Sequence, residues 1–158
     1  MSPPIVVIGV GNPLRGDDAA GVAVAERLRE RVPAGAEVVS CSEEPSRLMD
    51  AWAGARTVVL VDTVASGAPP GTIHRFEAGE ARVPAQAFRS STHAIGIAET
   101  IELARALGRL PERVLVYGIE AGGFATGAEL TPAVEAAVAG VVGAVLSDLE
   151  EERCTSAP

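Results

Sequence analysis

An α/β fold, in the form of a three-layer α/β/α sandwich around a twisted, mostly parallel sheet of about five strands, is predicted by three observations. Apolar, β-branched runs alternate with amphipathic stretches along the chain. The two strongest runs, Ile5-Val6-Val7-Ile8-Gly9-Val10 and Thr57-Val58-Val59-Leu60-Val61, show no polar alternation, as expected of strands buried on both faces. No internal repeat and no linker divides the sequence, and 158 residues suit one domain with a substantial core. The expected domain is 1–149, with the polar segment 150–158 a disordered C-terminal tail.

The elements follow in order. After the first strand, Asp18 to Val32 reads as a helix with Val22, Ala25, Leu28 and Val32 on one face. Glu37-Val38-Val39-Ser40 is a short second strand, and Glu44 to Trp52 a helix ending near Gly54. Thr57 to Asp62 is the clearest buried strand. Beyond the Pro69-Pro70-Gly71 turn, Thr72-Ile73-His74-Arg75-Phe76 alternates, which suits an antiparallel or edge strand with His74 solvated. A helix follows His93 to about Leu107, and Arg113 to Ile119 is the last strand. The glycine-rich loop Gly122 to Gly127 leads to a final helix from about Thr131 to Glu151, with Thr131 as N-cap, Pro132 at the first helical position and Glu135 in the first turns.

Composition narrows the function. The core must be built from Val, Leu, Ile and Ala, because 47% of residues are hydrophobic but only 3% aromatic. A net charge of -8 argues against general nucleic-acid binding, which needs a basic face. Cys41 and Cys154 form no CxxC pair, so a reduced, cytoplasmic setting is expected. Met1-Ser2-Pro3-Pro4 lacks a basic leader, and no apolar run approaches ~18 residues, so neither a signal peptide nor membrane insertion is expected.

Gly9-Val10-Gly11-Asn12-Pro13-Leu14 follows a strand but lacks the third glycine of a dinucleotide fingerprint. Asp17 and Asp18 stand where a pyrophosphate would meet a helix N-terminus, and they would repel it. Helix capping explains one of these aspartates and leaves the other free to point into a crevice. Asp62 closes a buried strand, where a carboxylate is costly unless hydrogen-bonded or bound to a cation; an Asx-turn is the alternative. His93 lies at a helix start, as a capping or surface residue or as a neutral imidazole able to ligate metal. All three residues follow strand ends or strand-to-helix turns, and such loops converge on one crevice in open α/β sheets. Two carboxylates and an imidazole suit a borderline divalent transition metal. Glu43-Glu44 could be a second acidic pair near that edge, but it reads more simply as a solvated helix N-terminus. No GxSxG or HExxH is present.

Gly9-Val10-Gly11-Asn12-Pro13-Leu14-Arg15-Gly16-Asp17-Asp18-Ala19-Ala20-Gly21, Val59-Leu60-Val61-Asp62, Ser91-Thr92-His93-Ala94-Ile95-Gly96-Ile97 and Gly127-Ala128-Glu129-Leu130-Thr131-Pro132-Ala133-Val134 together resemble the [NiFe]-hydrogenase maturation endopeptidases, from Ile5 to Leu149. The resemblance implies a metal-dependent, aspartic-type peptidase of the same three-layer fold. It would remove the C-terminal extension of a [NiFe]-hydrogenase large-subunit precursor after nickel insertion. It also implies that Asp18, Asp62 and His93 contact nickel presented by the precursor and form the catalytic set, with Asp17 and Asn12 supporting the first loop. The chain departs from that family at Ser40-Cys41-Ser42-Glu43-Glu44-Pro45, where members often carry a Gly-rich turn with Asp or Thr, and at Ala121, where a proline is common. The competing expectations are a non-catalytic chaperone that inspects the same precursor and a metallohydrolase acting on a small amide.

Overall fold

A computed structural model describes residues 4–12, 14, 16–78, 96–122 and 129–156. Five strands form one sheet: β1 (Ile5–Val10), β2 (Ala36–Cys41), β3 (Thr57–Val64), β4 (Ile73–Glu77) and β5 (Arg113–Glu120), in the order β2-β1-β3-β5-β4. The first four positions in that order run parallel, and β4 pairs antiparallel with β5 at the edge. The alternating pattern of residues 72–76 pointed to this edge strand: Ile73, Arg75 and Glu77 are exposed and His74 and Phe76 partly buried.

Four α-helices cover the sheet: α1 (Ala20–Leu28), α2 (Pro45–Trp52), α3 (Ile97–Ala106) and α4 (Pro132–Ser156). Side chains alternate across a strand, so each strand feeds two cores. Val7, Val59, Val61, Leu115, Tyr117 and Ile119 meet α1 and α4 on one face. Val6, Ile8, Val58, Leu60, Val114 and Val116 meet α2 and α3 on the other. Nearly every side chain of β1, β3 and β5 is buried on one face or the other, which is why these strands read as unbroken apolar runs.

Three boundaries differ from the sequence expectation. The helix expected from Asp18 begins as a single 3-10 turn, Gly16–Ala19, before α1. β3 runs past Asp62, because Thr63 and Val64 pair with Ile119 and Glu120. The expected disordered tail at 150–158 is helical as far as Ser156: Glu152 is buried, accepts from Thr57 Oγ1 at 3.3 Å and pairs with Arg113. By length and mean hydropathy alone (24 residues, 1.5), Pro132–Thr155 would also be long enough to cross a bilayer. Its Val134, Val138, Val141, Val145 and Leu149 are instead buried in the α1/α4 core.

Candidate metal centre

The strand order places the site. From β1 the chain passes through α1 to β2 on one side, while β3 lies on the other side of β1, so the loops after these strands part at a switch point. The first loop is held there by glycines acting through close approach rather than through phosphate binding. A Cβ on Gly21 would sit 2.4 Å from the carbonyl oxygens of both Val10 and Val61, so α1 presses its first turn directly onto β1 and β3. Gly11, at φ +144°, donates its amide to Cys41 O at 3.3 Å and ties the loop to the end of β2. Asn12 supports the same loop: its amide donates to Asp18 O at 3.2 Å and its side chain accepts from Leu14 N at 2.9 Å.

The adjacent aspartates divide two tasks between them. Asp17, fully buried, reaches across the molecule to the start of α4. Its carboxylate accepts from Thr131 N at 2.8 Å, Thr131 Oγ1 at 2.9 Å and Gly122 N at 2.6 Å. It therefore satisfies donors at the positive end of a long helix. The capping role expected for one aspartate is real, but the helix it caps is α4, not the one it precedes.

Asp18 is 1% exposed, and neither of its carboxylate oxygens has a hydrogen-bond partner among the described residues. A buried carboxylate left so is expensive, and a cation is the partner its chemistry favours. Asp62, 2% exposed, shares strand parity with Val58 and Leu60 and so points toward the α2/α3 face. Its Oδ1 accepts from Thr63 N at 2.7 Å, a contact to the next residue within β3 rather than the Asx-turn weighed against a ligand role. The structure brings Asp18 and Asp62 together: one oxygen from each, with one from Glu43, lie within 4.8 Å of one another. His93 lies outside the described residues. The chain is described again from Gly96, whose amide donates to Glu99 at 3.1 Å ahead of α3.

Glu43 corrects the sequence expectation. It is 5% exposed and part of the acidic cluster, whereas its neighbour Glu44 is exposed and binds Ser46 Oγ and Arg47 Nε at 2.9 and 3.1 Å, as a solvated helix N-terminus should. The signal was in the spacing. Pro45 opens α2, which makes Glu44 the cap and leaves Glu43 one step back at the strand-end crevice. Burial pushes the Glu43 carboxyl up to about 7, the nearby Asp18 charge adds to the rise, and a hydrogen bond with Asp62 opposes it. Burial, then the Glu43 charge, hold Asp62 well above the usual carboxylate range.

His74 is a second correction. It is not solvated: Nε2 meets the buried Glu120 Oε1 at 3.1 Å, and Glu120 also accepts from Ser66 N at 3.1 Å. Glu120 lies on β5 two residues beyond Gly118, the register partner of His74, and this diagonal pairing is invisible from His74 alone.

A switch-point crevice lined by buried carboxylates, one of them without a hydrogen-bond partner among the described residues, defines an α/β protein with an acidic candidate site. The family model for hydrogenase maturation protease matches residues 22–148, and the chain belongs to that family. It is similar to the hydrogenase 2 maturation protease of Escherichia coli K12, at 29% identity over 98% of this chain and 95% of that one. It is 32% identical to the hydrogenase expression/formation protein HupD of Thiocapsa roseopersicina over 75% of this chain, a match that spans only 54% of that relative's length. Among solved structures, the hydrogenase maturating endopeptidase HybD from E. coli superposes with a TM-score of 0.80 at 30% identity, covering 94% of this chain and 93% of that one.

Proposed function

We propose that this chain is a cytoplasmic, metal-dependent, aspartic-type endopeptidase that removes the C-terminal extension of a [NiFe]-hydrogenase large-subunit precursor after nickel insertion. Asp18, Asp62 and His93 meet the nickel held by the precursor. The observation that carries this reading is the Asp18 carboxylate: buried, without a hydrogen-bond partner among the described residues, and beside Asp62 at the switch point. Membership of the hydrogenase maturation protease family supports the substrate class.

Carboxylate oxygens and an imidazole fit a borderline divalent ion and leave positions for ligands from a second protein. When present, such an ion polarises a carbonyl or activates water. The protein's own part is to hold Asp18 and Asp62 at fixed spacing in a crevice shielded from bulk water, so that a precursor without metal leaves the carboxylates repelling one another. Cleavage thereby becomes conditional on metal loading.

The test is mass analysis of nickel-loaded and nickel-free precursor after incubation with the protein. Shortening of the loaded form alone is expected. Equal processing of both forms contradicts nickel recognition. A stable complex with the precursor at full length replaces the protease with a chaperone.

A further inference from the structure

We infer that Glu43 is a third carboxylate ligand of this crevice, so that the folded chain takes up a divalent cation on its own, before any precursor arrives. The inference rests on the proposed metal-dependent function and extends it by giving the crevice a cation affinity of its own, through the same carboxylates that meet the precursor's nickel.

Two independent observations carry it. Glu43, Asp18 and Asp62 each offer an oxygen within 4.8 Å of the others, and all three side chains are buried. Separately, both carboxylate oxygens of Asp18 are buried with no hydrogen-bond partner among the described residues, and one of them lies in that cluster. The Glu43–Asp62 hydrogen bond relieves one pair of carboxylates and leaves Asp18 uncompensated. Burying three carboxylates together is costly unless they are protonated or given a counter-charge, and a dication between them supplies that charge. The side-chain contacts with Ser46 and Arg47 at the start of α2 are made by Glu44. The backbone holds Glu43 in place: Gly11 N binds Cys41 O two residues before it, and Pro45 starts α2 two residues after it. Three carboxylates make the donor set harder and more anionic than two carboxylates and an imidazole.

The experiment is calorimetric titration of the full chain, free of precursor, with NiCl2, comparing wild type, Glu43→Gln and Asp62→Asn. It is paired with the visible d–d bands of each protein saturated with Co2+. Binding by wild type, at least tenfold weaker binding by Glu43→Gln and a changed Co2+ spectrum in that variant are expected. Glu43→Gln binding within twofold of wild type while Asp62→Asn is impaired overturns the ligand role. So does weakened binding with an unchanged Co2+ spectrum, which would make Glu43 a wall of the crevice rather than a ligand. No uptake by wild type also overturns the inference. Processing of nickel-loaded precursor would then still stand, which separates this failure from that of the proposed function.

Discussion

The hydroxyl of Thr63 donates to the backbone carbonyl of Asp17 at 2.8 Å, which joins the residue before Asp18 to the residue after Asp62. One buried hydrogen bond thus sets the spacing of the two carboxylates that the proposed chemistry needs. Replacing Thr63 with Val keeps the shape and removes that buried hydrogen bond. A loss of about 1–3 kcal/mol is expected, measured by urea unfolding, together with weaker cation uptake by the crevice.

Asp17 has a structural duty that its neighbour lacks. Asp17→Ala strands Thr131 N and Thr131 Oγ1 at the start of α4 and Gly122 N just after β5. The expected cost is at least 3 kcal/mol, since charge-assisted hydrogen bonds contribute roughly 1.5–3 kcal/mol each. Thermal unfolding checks the size of the effect.

Asp18 behaves in the opposite sense. Its carboxylate has no described donor and faces Glu43 and Asp62, so Asp18→Asn removes repulsion without breaking a described hydrogen bond. The metal-free variant is expected to unfold about 1 kcal/mol later than wild type while losing precursor processing. A gain in stability with loss of activity is the mark of a residue kept for function. A drop in stability would assign Asp18 a structural role instead.

The pH dependence of the metal-free protein follows from Glu43. Its carboxyl titrates near 7 in the folded chain against an ordinary value of 4.5. Between those values the folded state binds more protons than the unfolded state, so stability falls as pH rises through this window. Asp62 moves in the same direction, and the slope belongs to the pair. Denaturant midpoints at pH 5 and 7.5 are expected to fall for wild type, and to fall less for Glu43→Gln.

Much of the architecture could be read from the residues, for identifiable reasons. β1 and β3 announced themselves because neighbours cover both faces, leaving no position for a polar side chain until the chain reaches the crevice. The alternation in β4 gave away the antiparallel edge. Asp18 and Asp62 could be singled out because loops after parallel strands meet, but their partnership with Glu43 could not. Two glutamates before a proline look like an ordinary helix start; the position of Pro45 makes Glu44 the cap, but only the fold shows that Glu43 is buried. Long-range pairs hid the rest. Glu152 lies in a polar stretch that resembles a loose tail until Thr57 and Arg113 are found across from it. His74 looked solvated until Glu120 was placed beside it.

The most direct measurement is anomalous diffraction at the nickel edge from crystals of the protein grown with Ni2+. A single dominant peak within bonding distance of the Asp18 and Asp62 carboxylates, with His93 at a further coordination position, is the expected result. A dominant peak elsewhere, with the Asp18 carboxylate still without a partner, would contradict the metal centre.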